Sequence, residues 1–247
     1  MKKILIISAF APSPNTAGQA FTERLLTDLI VDHKVDIISF SDNVTNISAD
    51  QKNVTTVESV NLTLLQRLKG VLSLPFLHPL FTCRFSFHRV RLLRSIVNNY
   101  DVILFNFSQV FIYSLFLNHP AKVALAHDVV SQMYGRKIGF MAWFNSCWCK
   151  SSERYILSRA SSRIACFSDK DCKLLWNLFS VKASRVDFYL DDRISNINPV
   201  RINSHGCFVF YGAWGRRENS SGLLWFLSNV MPSLERSCRF LVIGGGI

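Results

Sequence analysis

The sequence predicts an α/β fold built on a mostly parallel sheet, and three observations carry this prediction. Short apolar runs alternate along the chain with segments of helical spacing, the order typical of strand–helix–strand units. Several runs, such as "KILIISAF" and "DVILFNF", are nearly continuous in apolar residues, as are strands of a sheet covered on both faces. The chain has 247 residues, 49% of them hydrophobic and 13% aromatic, which excludes a disordered chain or a coiled coil.

The first part of the chain holds most of the predicted elements. Strands are predicted over 3–10, 34–41, 53–60, 101–107, 122–129, 162–168 and 185–190. The clearest helices are predicted over 19–31 and 140–160. The loop "APSPNTAG" joins the first strand to the first helix. Together these elements predict one complete α/β domain over 1–190.

A polar stretch, 191–205, then predicts a linker. After it the strand–helix pattern begins again, with a strand over 206–213, a helix over 220–235 and a strand over 239–243. The region 206–247 therefore predicts the β-α-β start of a second, incomplete domain.

The charge of the chain is strongly positive, with a formal net charge of +11 and a pI near 9.6. Nucleic acid, an anionic membrane surface or an anionic substrate could each explain such a charge. The segment 59–100 has no acidic residue and alternates cations with leucines and phenylalanines. It predicts either a surface for an anionic membrane, through Arg84, Arg89, Arg91 and Arg94, or ordinary amphipathic helices with wet basic faces. Nucleic acid is disfavoured, because these phenylalanines lie among leucines and indicate burial rather than stacking platforms.

The sequence also bears on location. No apolar run is long enough for a transmembrane helix, and "MKKILIISAF" is typical of a first strand rather than a signal peptide. The seven cysteines have no zinc-ligand spacing and are expected to be reduced thiols. We expect a cytoplasmic protein, with attachment to the inner face of the cytoplasmic membrane as the alternative to a freely soluble one.

Two candidate sites follow predicted strands of the first domain. Gly18 begins the helix after the first strand, where free N–H groups favour an anion, although a plain βα turn explains it as well. His127 and Asp128 stand at the carboxyl end of a buried strand, where open α/β sheets place their sites. His127 is a candidate acid, base or hydrogen-bonding group, and the alternative is a structural histidine.

A third candidate site opens the second domain. Gly212 ends its first strand, and Arg216 and Arg217 follow beside the predicted helix start. Two arginines at a helix N-terminus are a candidate phosphate clamp, and the alternative is a solvated basic loop.

The order of these stretches resembles glycosyltransferase family 4, the retaining enzymes with the GT-B fold. "KKILIISAFAPSPNTAG" is similar to the first strand and loop of that family, and "AHDV" to its strand-end His-Asp. "ILSRASSRIACFSDKDCKLL" resembles the end of its N-terminal domain, and "FYGAWGRRENSSGLLWFL" the opening of its C-terminal domain.

The resemblance implies two Rossmann-like domains, one for a glycan or lipid-linked acceptor and one for a nucleotide-sugar donor. It implies a sugar transfer in cell-surface polysaccharide synthesis, without metal or other cofactor. His127, with Asp128 beside it, would line the acceptor side near the reacting sugar. Gly18, Gly212 and Arg216 or Arg217 would approach the donor diphosphate. No lysine follows Arg217 as in the family, and the glutamate pair of the donor domain is expected beyond Ile247, so we expect a truncated chain that is inactive alone.

Two other functions stay open at this stage. A degenerate transferase fold could serve as a non-catalytic module that binds a membrane surface or a partner. A nucleotide-sugar epimerase or dehydrogenase is disfavoured, because the first loop lacks G-x-G-x-x-G and no Tyr-x-x-x-Lys occurs.

Overall fold

The computed structural model describes residues 1–14, 16–40, 54–59, 62–135, 139–160, 162–187, 207–215, 217–234 and 238–245. The chain divides into two compact units, Met1–Tyr189 and Leu190–Ile247. We call them unit 1 and unit 2 and describe each by itself. The predicted linker, 191–205, lies outside the described residues.

Unit 1 is built on a seven-stranded sheet in which all neighbouring strands run parallel. Its strands are β1 (Lys3–Ser8), β2 (Lys34–Ser39), β3 (Val54–Ser59), β4 (Val102–Asn106), β5 (Lys122–Ala126), β6 (Arg163–Cys166) and β7 (Ala183–Arg185). The spatial order is β3-β2-β1-β4-β5-β6-β7. The predicted parallel α/β fold is confirmed.

The connections between these strands are mostly helical. The α-helices are α1 (Ala17–Asp32), α2 (Leu64–Ser73), α3 (Pro79–Thr82), α4 (Phe87–Ile96), α5 (Val130–Gly135), α6 (Phe140–Arg159) and α7 (Asp169–Phe179). Two 3₁₀ segments, Val97–Asn99 and Ser108–Leu115, flank β4. The described residues of the acid-free segment 59–100 contain three short α-helices, α2, α3 and α4.

The central strands are buried because helices cover both faces of the sheet. Side chains of β1 alternate between the faces: Leu5 and Ile7 belong to one core cluster, and Ile4 and Ile6 to another. The second cluster includes Leu26 of α1, so α1 covers that face. Burial on both sides explains why the strand sequences are apolar without a strict alternation.

Several predicted boundaries differ from the structure by a few residues, and two predicted elements differ most. The strand predicted over 185–190 begins too late, since β7 occupies Ala183–Arg185, and its last part, 188–190, lies outside the described residues. This strand lies at the sheet edge and has two exposed residues, so it lacks the apolar run that marks the central strands. The helix predicted over 220–235 begins at Arg217 and ends at Asn229, before a 3₁₀ turn over Met231–Ser233.

Unit 2 contains two parallel strands, β8 (Cys207–Tyr211) and β9 (Arg239–Ile243), connected through helix α8 (Arg217–Asn229). The two glycines at the strand ends allow a close backbone approach. A Cβ on Gly244 would lie 1.8 Å from the carbonyl oxygen of Gly212, and Gly244 has a φ of +139°. Trp214 donates from Nε1 to the carbonyl of Ile243 at 3.1 Å and fastens the loop. Gly244 therefore packs its backbone directly against the backbone of Gly212.

Candidate functional site

The strand order places a topological switch point between β1 and β4. Beginning at that boundary, β1, β2 and β3 follow in one direction, while β4, β5 and β6 follow in the other. In such sheets the loops diverge at the carboxyl ends and leave a crevice for ligands. Ser8 ends β1 opposite Asn106, which ends β4, and His127 directly follows β5. These three residues and the start of α1 form the candidate site.

A directional hydrogen-bond network connects the ends of β1 and β4 to α1. The Ser8 hydroxyl donates to the carbonyl of Phe10 at 2.8 Å, and the Thr22 hydroxyl donates to the carbonyl of Gly18 at 2.9 Å. Both hydroxyl oxygens accept from Nδ2 of Asn106, at 3.1 Å and 2.7 Å. Because both hydroxyl protons are already used, only the amide nitrogen of Asn106 fits between them.

This network fixes the protonated nitrogen of His127. The amide oxygen of Asn106 must point the other way, and it lies 2.8 Å from Nε2 of His127. An oxygen can only accept, so Nε2 carries the proton and donates it. Nδ1 of the neutral imidazole is then the nitrogen with a free lone pair.

Aromatic rings surround the His127 imidazole on several sides. Phe107 stacks on it with ring centroids 3.9 Å apart, and Phe21 and Phe167 meet it edge-on at 5.6 Å and 5.0 Å. Burial among these rings lowers the pKa of His127 to about 4. The imidazole is therefore neutral at physiological pH and offers a hydrogen-bond acceptor rather than an acidic proton.

Phe107 takes an unusual backbone conformation to reach this position. Its φ is +72°, a region that bulky residues avoid at a cost of about 1–3 kcal/mol. Its ring fills the space beside Gly18, where a Cβ would lie 2.8 Å from Cε1 of Phe107 and 3.4 Å from Nδ1 of His127. Gly18 is thus required by the packed Phe107 and His127 rings, in addition to any ligand approach. Strain of this kind is concentrated at functional sites.

Asp128 and a buried glutamate complete the turn after β5. Partial burial, and after it the nearby charge of Asp171, raises the pKa of the Asp128 carboxyl group. Glu153 of α6 is 2% exposed and accepts from the backbone N–H groups of Val130 and Ser131, both at 2.9 Å. The carboxylate thus caps the first turn of α5 and anchors the loop that carries His127 and Asp128.

The four arginines predicted for a membrane surface do not share one exposed face. Arg84 is half-buried over the Phe10 ring at 4.9 Å, and its Nε donates to the carbonyl of Phe40 at 3.4 Å. Arg89 is half-buried over the Phe40 ring at 4.8 Å. Phe10 and Phe40 follow β1 and β2, so these two arginines stand at the carboxyl edge of the sheet.

The other two arginines of this set, Arg91 and Arg94, are exposed on α4. Nε of Arg94 donates to the carbonyl of Phe116 at 2.8 Å. The structure therefore brings Arg84 and Arg89 to the same edge as Gly18 and His127, and leaves Arg91 and Arg94 in water. Binding of a membrane through this set of four stays a prediction.

The candidate residues of the second site lie in unit 2. Gly212 follows β8, and a Cβ there would lie 3.3 Å from Nδ2 of Asn219, so the turn is tight. Arg217 is exposed and is the first residue of α8, two to three positions before the predicted start. Arg216 lies outside the described residues. Arg217 thus lies at the N-terminus of α8, and binding of a phosphate by Arg216 and Arg217 stays a prediction.

Over the described parts of the chain, no group of three His, Cys, Asp or Glu residues could hold a metal ion. None of the helices described here is long and apolar enough to cross a membrane. All seven cysteines are free thiols.

His127 and Gly18 were predicted from the sequence and stay candidate site residues, whereas Asn106 and Phe107 were not predicted. Asn106 is a polar residue at the carboxyl end of a buried strand, the same signal that pointed to His127. Phe107 gave no signal, because its φ and its stacking depend on the fold of three separate loops.

In structure, the chain is similar to the apo form of the lipopolysaccharide outer core galactosyltransferase WaaB, with a TM-score of 0.59 and 13% sequence identity. The match covers 99% of this chain and 61% of that one, so the chain spans less than two thirds of its structural relative. No family model matches the sequence, and no curated protein matches it either. The likeness shows an α/β fold that resembles the Rossmann-like domain of a GT-B glycosyltransferase.

Proposed function

We propose that this chain belongs to a glycosyltransferase that moves a sugar from a nucleotide-sugar to a glycan or lipid-linked acceptor in cell-surface polysaccharide synthesis. The observation that carries the proposal is the oriented His127 at the switch point, held by Asn106 and beside the start of α1. A strained backbone and an oriented histidine among aromatic rings, at the carboxyl edge of a parallel sheet, are typical of a functional site. The fold likeness to a galactosyltransferase supports the reaction class.

We assign His127 a hydrogen-bonding role in this reaction. With Nε2–H donated to Asn106, Nδ1 can accept from a hydroxyl of the reacting sugar. Its low pKa argues against a role as general acid near neutral pH. Asp128 is the neighbouring carboxylate, and the raised pKa makes it the better candidate for proton exchange.

We assign the donor diphosphate to the start of α8 in unit 2, as the resemblance to family 4 implies. Arg217, with Arg216 beside it in sequence, would stabilise the charge that develops on the leaving nucleoside diphosphate. The tight turn at Gly212 would let backbone N–H groups approach that diphosphate. A donor-side role of Gly18 stays a separate prediction of the resemblance to family 4. Retention of configuration and independence from metal are further predictions of the resemblance to family 4.

The proposed location is the cytoplasm, at the inner face of the cytoplasmic membrane. The free state of all seven thiols fits a reducing compartment. A peripheral position would give access to a lipid-linked acceptor.

A transfer assay tests the proposal. The whole protein to which this chain belongs, expressed from its natural gene, is incubated with a panel of radiolabelled nucleotide-sugars and a glycolipid extract from cells that lack that gene. We expect label from one donor in the glycan, and a rate at least about tenfold lower for His127→Ala, because the sugar loses a hydrogen bond at the reacting centre. Absence of incorporation from every donor contradicts the proposal.

A second candidate is a non-catalytic module that binds a membrane surface or a partner. It is favoured by one observation, the row of exposed leucines on α2, which the transfer reaction does not require. Normal vesicle binding without any sugar transfer would select this candidate.

A further inference from the structure

Helix α2 turns its leucines toward solvent. Leu64, Leu65, Leu68 and Leu72 are 74%, 61%, 51% and 74% exposed. At about 100° per residue these positions share one side of the helix, which we call the leucine face. A helix of a globular protein normally buries such a stripe.

The orientation of α2 is set by a glycine on its opposite side. Gly70 is buried, and a Cβ there would lie 2.4 Å from the carbonyl oxygen of Thr82 and 2.8 Å from that of Phe85. Only glycine permits this approach, so the helix cannot turn without losing its closest packing. Thr63 and Gln66 form a capping box that fixes the first turn as well. The packing of Gly70 and the capping box thus fix the orientation in which the leucines of α2 face solvent.

The charges around the leucine face are all positive. By helical spacing Lys69 flanks it on one side and Arg67 on the other. The described residues 62–100 contain no Asp or Glu. An apolar stripe between cations, without acids, is the pattern of helices that lie in the interface of anionic bilayers.

Further apolar side chains are exposed in the loop after α2 and at the start of α6. Phe76 is exposed, and its carbonyl accepts from Nε1 of Trp148 at 2.9 Å. The first turns of α6 expose Phe140, Met141, Trp143 and Phe144. Exposed Trp and Phe are the side chains that settle at the boundary of lipid and water.

We propose that the leucine face of α2 is a membrane-binding surface that lies in the interface of a bilayer containing anionic lipid. A second copy of this chain is the less favourable occupant, because it would bring two cationic rims together without an acid between them. This surface is separate from the four arginines considered in the sequence. It also stands apart from the proposed transfer, since vesicle binding requires neither donor nor acceptor.

Vesicle flotation tests this proposal. The wild-type protein and the double variant Leu68→Ser/Leu72→Ser are mixed with vesicles of phosphatidylcholine alone or with phosphatidylglycerol. We expect the wild type to bind the anionic vesicles, and the double variant to bind them at least about tenfold more weakly, because each leucine loses its transfer from water. The variant should keep the wild-type melting temperature, since both leucines are exposed.

A matched control is Leu92→Ser on α4, because Leu92 is also 51% exposed. It should bind like the wild type. The proposal is overturned if the wild type ignores anionic vesicles, if the double variant binds as well as the wild type, or if Leu92→Ser weakens binding equally. Self-association that the double variant abolishes, without any vesicle binding, assigns the face to a second copy and also overturns it.

Discussion

At the residue scale, the chemistry of the candidate site depends on the protonation of one imidazole. His127 donates from Nε2 to Asn106, whose amide is itself held by two hydroxyls that donate elsewhere. A change of the Asn106 side chain should therefore change the pKa of His127.

Replacement of Asn106 by aspartate tests this dependence. In the wild type, burial holds the pKa of His127 at about 4, so the imidazole should stay neutral through pH 5–8. In Asn106→Asp, a carboxylate 2.8 Å from Nε2 would favour the charged imidazolium, and the pKa should rise into or above that range. NMR titration of the imidazole measures both. A wild-type His127 that titrates near 6.5, or one unaffected by the variant, contradicts the network.

The low pKa of His127 also makes the free energy of unfolding depend on pH. Because the folded pKa lies below the unfolded value of about 6.5, stability from His127 is present above pH 6.5 and is lost as the pH falls toward 4. His127→Gln should therefore flatten the fall in unfolding free energy between these two pH values.

Replacement of Gly18 by alanine should destabilise the protein by about 1–3 kcal/mol, because the new Cβ would overlap the Phe107 ring. Denaturant unfolding measures the change. Gly135→Ala is the control, since a Cβ there meets only Oγ of Ser146 at an ordinary 3.7 Å. Equal effects of the two changes would mean that the Phe107 ring can move aside freely.

Individual site residues could be predicted only where a predicted strand ends or a predicted helix begins. His127 stands where an apolar run ends, and Gly18 stands where the helix after the first strand begins; both are places where parallel sheets put their sites. The pairing of Ser8, Thr22 and Asn106 joins residues up to 98 positions apart. No local pattern encodes such a contact.

At the element scale, a single carboxylate connects α6 to the loop that follows β5. Glu153 is buried and accepts two backbone hydrogen bonds from the first turn of α5. Its burial raises its pKa, while those hydrogen bonds oppose the rise. The loop with His127 and Asp128 is thus held from the opposite element.

Replacement of Glu153 by glutamine should lower the unfolding free energy by about 1–3 kcal/mol, because an amide NH₂ would face a backbone N–H that then lacks an acceptor. The amides of Val130 and Ser131 should also lose protection in hydrogen exchange. Glu23→Gln on the exposed side of α1 is the matched control and should change stability by less than about 0.5 kcal/mol. Unchanged protection at both amides would contradict the claim that Glu153 holds the loop after β5.

Helices and strands differed in how far the sequence could define them. The central strands β1, β4 and β5 were found because they are apolar on both faces. The weaker edge strand β7 was placed too late. Periodicity marks α2 as amphipathic, but it cannot say which face turns outward. That depends on the contact of Gly70 with a loop 12 or more residues away.

At the scale of the whole molecule, the two units differ in how much they bury. Unit 1 has a seven-stranded sheet with a continuous core. Unit 2 has two strands and one α-helix in its described part, and Trp214 is the only buried residue among the residues described there. A two-stranded sheet is marginal in water.

Hydrogen exchange should show this difference directly. Amides of β8 and β9 should exchange faster than those of β1 and β4, because fewer buried contacts oppose their opening. Equal protection in the two units would show that unit 2 is stabilised by contacts that its described residues do not provide.

The parallel fold followed from the order of strands and helices in the sequence. The sequence placed the candidate site at strand ends, but the meeting of Ser8 with Asn106 depends on the spatial order of the strands. That order is a property of the whole sheet and has no local signal.

The central claim is that the carboxyl edge around His127 serves a sugar transfer, and the mass of the cell-surface glycan tests it most directly. The gene is deleted in its source cell, and the strain is complemented with wild type, His127→Ala or Leu92→Ser at equal protein levels. Deletion should remove one sugar residue from the glycan. Wild type and Leu92→Ser should restore that residue, and His127→Ala should not. An unchanged glycan mass after deletion, or full restoration by His127→Ala, would contradict the account.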